Sequence, residues 1–150
     1  MKLKLKMLVC LLLPLVVLFM AKPVIAEPLK ISEELPLEKQ VELFTLVYGG
    51  DAELNKKVIR CESGWDVKAD GDGGISLGVA QFQLESFNRM SKAFGEKLNY
   101  TSSYDQLKLF VWAMNNGYAR EWTAYRAIKN GGTYSFYSKQ LGRHFTVYCK

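Results

Sequence analysis

Glu62 is the residue whose surroundings best suit acid–base chemistry. It lies in Cys61-Glu62-Ser63-Gly64-Trp65. An Asp/Gly-rich segment follows (Asp66, Asp70, Gly71, Asp72, Gly73, Gly74), then an apolar run closing on Gly78-Val79-Ala80-Gln81-Phe82. The spacing places Glu62 in the last turn of a helix, beside unpaired carbonyls and the negative end of the helix dipole. Both disfavour the ionised carboxylate, and Trp65 with nearby apolar residues would desolvate it further. A Glu whose pKa is raised in this way keeps its proton to higher pH than a free glutamate and can act as a general acid. The plainer reading of the same residue is a solvated helix end. Asp66, Asp70 and Asp72 read first as turn formers bonding their own backbone. A calcium loop is unsupported, because the Asp-x-Asp-x-Asp-Gly register with a Glu at position 12 is absent. His144 is the only histidine. With no companion ligands and no Ser or Cys nucleophile pattern, it reads as a surface or tail residue, and no zinc or other cofactor is expected.

The elements that would position Glu62 follow from apolar periodicity. Leu37, Val41, Phe44, Leu46 and Val47 fall at helical spacing, and Gly49-Gly50 stop that helix. Asp51 is an N-cap for the next, whose Leu54, Val58 and Cys61 share a face. It should end near Glu62–Gly64, with Gly64 as a left-handed cap. Ile75 to Gln83 reads as a short strand or hairpin arm. Leu84–Phe94 is a helix by the spacing of Leu84, Phe87, Met90 and Phe94. Ser103 would cap a strong helix over Tyr104–Asn116, with Leu107, Phe110, Val111 and Met114 on one face and Gly117 ending it. Trp122 to Ile128 is a further helical piece closed by Gly131-Gly132. The aromatic tail Tyr134–Tyr148 is expected to be weakly helical. The sum is a mainly α, α+β domain: helices with one small Gly-rich β-hairpin insertion after the acid-bearing helix.

The N-terminus alternates Lys and Leu, then runs apolar from Met7 to Met20 and ends in Ala-Lys-Pro-Val-Ile-Ala. This fits a signal peptide cleaved after Ala26, and the run is short for a membrane span. An uncleaved anchor is the alternative. Cys10 lies within the run, so a lipoprotein signal is weak. Residues 1–26 hold four of the 20 Lys and Arg and none of the 15 acids, leaving 16 basic residues against 15. The formal net charge of +5 thus belongs largely to the leader, and nothing suggests nucleic acid, which asks for a clustered basic face. Residues 27–36, with Pro28 and Pro36, read as a linker or mobile arm. Residues 37–150 read as one domain, expected to be a monomer with no stable membrane span. After leader removal two cysteines remain, Cys61 and Cys149. In an exported protein an even pair reads as a disulfide, the alternative being two buried thiols.

Three patches carry a resemblance. Cys-Glu-Ser-Gly-Trp at 61–65, Gly-Val-Ala-Gln-Phe at 78–82 and Ala-Met-Asn-Asn-Gly at 113–117 resemble, in order and approximate spacing, the signatures of lysozyme-like lytic transglycosylases: Glu-Ser, Gly-Leu-Met-Gln and Ala-Tyr-Asn-Ala-Gly. The first two are also similar to resuscitation-promoting-factor domains, relatives that often carry a disulfide. The likeness covers roughly residues 50–130. It implies a lysozyme-like fold with a glycan cleft, a secreted or cell-envelope location, and peptidoglycan glycan strands as partner. Glu62 would be the catalytic acid. Ser63, Gly78, Gln81, Phe82, Asn115 and Tyr118 would line or support the sugar site. Two departures stand out: Val79-Ala80 replaces Leu-Met, and Met114 stands where the family has a tyrosine thought to assist the acid. Tyr118 and Tyr125 are candidate substitutes.

The resemblance implies cleavage of the MurNAc-GlcNAc β-1,4 bond by one carboxyl, acid then base, giving a 1,6-anhydro product. This departs from the two-carboxylate scheme. Muramidase-type hydrolysis, needing a second carboxylate for which Asp66, Asp70 and Asp72 are the nearest in sequence, is the runner-up, and a non-catalytic peptidoglycan-binding domain is a third reading. Trp65, Phe82, Trp122, Tyr118 and Tyr125 are candidates to stack on sugars, whereas Trp112 reads as core. Asn99-Tyr100-Thr101 matches a glycosylation triplet of a kind that arises often by chance.

Overall fold

The computed structural model describes residues 29–139 and 142–149. The expected leader, its cleavage after Ala26 and Cys10 lie outside these residues. Helix α1 (Leu37–Tyr48) is followed, across Gly49-Gly50, by α2 (Ala52–Ser63). Asp51 caps α2 as its residue type predicts, accepting from the Leu54 amide at 3.1 Å. Gly64 ends it at φ +63, a left-handed position that costs glycine little. Three two-residue strands come next, β1 (Asp70–Gly71), β2 (Ser76–Leu77) and β3 (Phe82–Gln83), paired antiparallel in chain order. Helix α3 (Leu84–Phe94) leaves β3 directly, and α4 (Ser103–Asn115) follows. Ser102, not Ser103, caps α4, accepting from the Asp105 amide at 3.2 Å. A 3₁₀ turn at Ala119–Glu121 leads into α5 (Thr123–Lys129).

The tail departs from the helical expectation. It forms an antiparallel hairpin, β4 (Thr133–Ser138) and β5 (Arg143–Tyr148), with Tyr134 opposite Val147 and Phe136 opposite Phe145. Partly buried residues alternate with exposed ones along β4. This is the period-two pattern of a strand with one face covered.

The segment before α1 is tied down. Gln40, 1 % exposed, donates through Nε2 to the carbonyls of Glu33 at 3.0 Å and Leu35 at 2.8 Å. The Tyr104 hydroxyl donates to the Ile31 carbonyl at 3.1 Å, and Ile31 packs on the core. Residues 29–36 thus lack regular structure without being unattached.

Helix α1 packs along α4, α2 against α1 and α5, and α3 against α4. At the centre Trp122 meets Phe82 and Phe110 edge-on, with centroids 5.3 and 4.9 Å apart, and Phe82 meets Phe87 at 5.3 Å. Such pairs add about 0.5–1.5 kcal/mol each beyond area burial. The aromatic cluster fixes β3 and the start of α5 relative to one another, and these two elements flank Glu62. Among the described residues no helix is long and apolar enough to cross a membrane.

Candidate active site

Glu62 sits one residue before the end of α2, and its Oε1 accepts from the Ala124 amide at 3.0 Å. Ala124 is the second residue of α5, a helix whose N-cap, Trp122, offers no side-chain bond. Glu62 therefore supplies the acceptor that this helix end otherwise lacks. The carboxyl is half-buried, and opposed influences act on it. Burial raises its pKa above the ordinary value and is the largest effect; the negative charge of Asp72 adds to it. The Ala124 amide and the Thr123 hydroxyl favour the charged form and offset part of the rise. The net direction is upward. Glu62 thus retains its proton to higher pH than a free glutamate, while two donors stand ready for the carboxylate once the proton has left.

The turn joining β2 and β3 braces this helix end. The Ser63 hydroxyl donates to the Val79 carbonyl at 2.7 Å and accepts from the Trp65 amide at 3.1 Å. The Trp122 indole donates to the Ala80 carbonyl at 2.9 Å. Gln106, 1 % exposed, accepts from the Ala80 amide at 3.2 Å and donates to the Tyr100 carbonyl at 2.7 Å. Gly78 has φ +76, and a Cβ there would stand 2.5 Å from Gln106 Nε2 and 2.6 Å from Oε1. Glycine is required on both counts: L-residues are strained at that φ, and the amide side chain fills the space. Gln81, itself at φ +49, donates through Nε2 to the carbonyls of Ala69 at 3.1 Å and Gly78 at 2.9 Å. A Cβ on Gly71 would collide with the Gln81 Oε1. Buried polar groups left unpaired are costly, so these bonds specify one turn geometry.

Glu62 opens into a cleft of about 300 Å³. Asp72 and Gln81 from the small sheet, Glu121, Thr123 and Arg126 from the α5 side, and Phe82 with Trp122 at its base line the space. Asp72, at φ +54 in the β1–β2 turn, accepts from the Ser76 hydroxyl at 3.2 Å. Glu121 pairs with Arg89 at 2.6 Å on the rim.

The residues singled out in the sequence divide into three groups. Glu62, Gln81 and Phe82 border the cleft. Phe82 is 2 % exposed and packed edge-on, so it forms a wall and not a stacking platform. Ser63 and Gly78 stand behind the cleft as supports for the turn. Asn115 and Tyr118 are placed elsewhere. Asn115 donates to the Tyr48 carbonyl at 2.7 Å, tying α4 to the end of α1. Tyr118 lies between Trp112 at 5.7 Å and the Arg89 guanidinium at 5.6 Å. Cys61 and Cys149 form the disulfide, with Cα atoms 5.7 Å apart, and bring the tail beside the residue preceding Glu62.

The cleft's Glu121, Thr123 and Arg126, and the bracing Gln106, are not evident from sequence motifs. Gln106 had a signal: a lone amide beside Leu107 on an otherwise apolar helix face. Of the three turn aspartates that could supply a second carboxylate, Asp72 lines the cleft, and Asp66 and Asp70 do not. Among the described residues no group of three or more His, Cys, Asp or Glu is placed to hold a metal. Comparison with family models, with curated proteins and with solved structures finds no match for this chain.

Proposed function

We propose that this chain is an exported peptidoglycan lytic transglycosylase that uses Glu62 as acid and then as base. The observation that carries the reading is the state of Glu62: a half-buried carboxyl, its pKa raised, opening into a polar cleft with the Ala124 amide on its Oε1. The ordered likeness of residues 61–65, 78–82 and 113–117 to transglycosylase signatures supports the substrate class. The Cys61–Cys149 disulfide supports an oxidising compartment.

The reaction then balances within one sugar pair. Protonated Glu62 gives its proton to the glycosidic oxygen as the bond to the anomeric carbon breaks. The N-acetyl group of that sugar stabilises the developing positive charge. The Glu62 carboxylate, oriented by Ala124 and Thr123, takes the proton of the sugar's 6-hydroxyl. That oxygen closes on the anomeric carbon, and no water enters. The helper tyrosine of the related family is replaced by Met114, which packs on the core. Neither Tyr118 nor Tyr125 borders the Glu62 cleft; the α5 donors take over the orienting role.

A hydrolytic reading has one observation in its favour. Asp72 lines the same cleft and acts electrostatically on Glu62, as a second carboxylate holding water would. Mass spectrometry of fragments released from purified peptidoglycan separates the two. Transglycosylation gives 1,6-anhydro ends, hydrolysis gives reducing ends, and a sacculus that is bound but uncut means a binding module.

A further inference from the structure

A second groove, of about 550 Å³, adjoins the Glu62 cleft and shares Arg126 with it. Its lining is cationic and aromatic: Arg120, Arg126 and Lys129 with Tyr125, Asn130 and Tyr134. No acid lines it, in contrast to the first cleft with Glu62, Asp72 and Glu121. Like charges are brought together here without local neutralisation. Among the described residues neither Arg120, Arg126 nor Lys129 forms an ion pair. The surrounding structure holds two of these cations, Arg126 and Lys129, in place. Arg126 donates through Nε to the Arg120 carbonyl and through Nη1 to the Tyr134 hydroxyl at 3.0 Å, and lies over the Tyr134 ring at 5.3 Å. The Lys129 ammonium lies over the Tyr125 ring at 5.8 Å. Tyr134 comes from the terminal hairpin, so this groove exists only when the tail is folded back onto α5.

The groove's distance from the reacting carboxyl follows from α5. Its seven residues at about 1.5 Å rise span roughly 10 Å. Ala124, at one end, holds Glu62; Lys129, at the other, borders the groove. An anion carried about one to two sugar units from a glycosidic bond presented to Glu62 would therefore reach Lys129.

From this arrangement we infer that the groove is a subsite for an oxyanion carried by the glycan, a carboxylate or a phosphate, held by Arg120 and Lys129 with Tyr125 and Tyr134 as walls. The inference rests on the proposed glycan substrate and adds what the strand must bear. Two sources supply that chemistry: the carboxylates of a peptide stem on the lactyl group, and phosphodiesters of an anionic polymer attached to the strand. Cations over aromatic faces are held in register without losing their charge, which suits capture of a flexible anionic branch. Its attraction is screened by salt.

The test uses the disulfide-bonded chain in a Glu62→Gln background, so that ligands are bound and not consumed. Three probes are compared by calorimetry at low and high salt: a neutral N-acetylglucosamine oligomer, a muramyl glycopeptide with free stem carboxylates, and a glycerol-phosphate oligomer. The expected result is tighter binding of at least one anionic probe than of the neutral one. That advantage falls roughly 3- to 10-fold in Arg120→Gln/Lys129→Gln and shrinks in high salt. The glycopeptide leading identifies stem carboxylates; the phosphate oligomer leading identifies the polymer. Equal binding of all three probes, or an anion advantage unchanged by the double substitution, overturns the inference. Circular dichroism of the double variant establishes that it is folded. Cleavage of peptidoglycan by the wild-type chain is scored separately. Cutting that is indifferent to the double substitution and to stem removal rejects the groove and keeps the enzyme; anion binding mapped to Lys129 without cutting keeps the groove and rejects the enzyme.

Discussion

The two β elements of this molecule are built by opposite means. The terminal hairpin has the regular backbone: six paired residues per strand, with alternating coverage. The internal sheet has two-residue strands, too short to hold a shape through their own ladder. Yet the internal sheet carries the more exacting geometry. Its turn contains Gly78 at φ +76 and Gln81 at φ +49, and buries Val79 and Ala80 completely. Side chains from elsewhere (Ser63, Gln106, Trp122) bond its backbone. The hairpin is attached to the body differently: by the Cys61–Cys149 bond, the Cys149 amide on the Gly132 carbonyl at 2.8 Å, the Arg126–Tyr134 contact, and the packing of Tyr134 and Val147 on the core. The lesson is that strand regularity and positioning accuracy are separate properties. The site is held by side chains bonded to irregular backbone; the regular hairpin reaches it through the Cys61–Cys149 bond and through Tyr134 on Arg126.

Substitutions can break that contrast. Gly78→Val should be the most damaging, at about 3–5 kcal/mol, since it combines a strained left-handed conformation with a collision against Gln106. Urea unfolding measures it, and a loss under about 1 kcal/mol would mean the turn is not held as described. Removing the disulfide in Cys61→Ser/Cys149→Ser should cost about 2–4 kcal/mol; the closed loop has a sequence separation of 88 residues, for which chain entropy alone suggests more. Hydrogen exchange should then quicken in β5 and not in the 78–82 turn. Equal acceleration in both would erase the distinction between the two elements. Gln106→Ala leaves the Ala80 amide and the Tyr100 carbonyl without their partner and should cost about 1–3 kcal/mol. It should also slow glycan cleavage by loosening the turn beside Glu62, and unchanged kinetics would place the bracing elsewhere.

A smaller effect concerns Glu62 itself. Its folded pKa lies above the ordinary carboxyl value, so between those two values the folded chain binds more protons than the unfolded one. Stability therefore falls as pH rises through that window, and the ionised, half-buried group is a burden above it. Glu62→Gln retains an oxygen for the Ala124 amide without the charge. Its melting temperature should exceed that of the wild type near pH 7, and the difference should shrink as the pH drops toward 4. A difference independent of pH would show that Glu62 is not held as described.

Much of the helical frame was legible in the sequence, because caps and periodicity are local properties. Asp51 and Gly64 mark the ends of α2 by residue type, and the α4 cap differed from expectation by only one residue. The tail was misread because Tyr137 and Tyr148, aromatics on the exposed face, blur the alternation of Tyr134, Phe136, Phe145 and Val147. Its strand character comes from pairing across the hairpin, a non-local cause. The site was legible at Glu62, where helix position and chemistry coincide, and at Gln81 in the turn. It was illegible at Thr123 and Arg126, which reach the cleft only once the start of α5 is brought to the end of α2, and Asp72 was legible only as one of three candidate second carboxylates. Asn115 belongs to the same motif series, but its amide is committed to the Tyr48 carbonyl.

On the proposed mechanism Glu62 delivers the proton that breaks the glycosidic bond. Wild-type and Glu62→Gln chains should be compared for soluble fragments released from purified peptidoglycan, with pelleting of the intact sacculus read alongside. That mechanism gives 1,6-anhydro fragments from the wild type and a loss of rate of about 10²- to 10⁴-fold in the variant, as for removal of a general acid. Pelleting with the sacculus should be unchanged. A variant that releases fragments at the wild-type rate would contradict it.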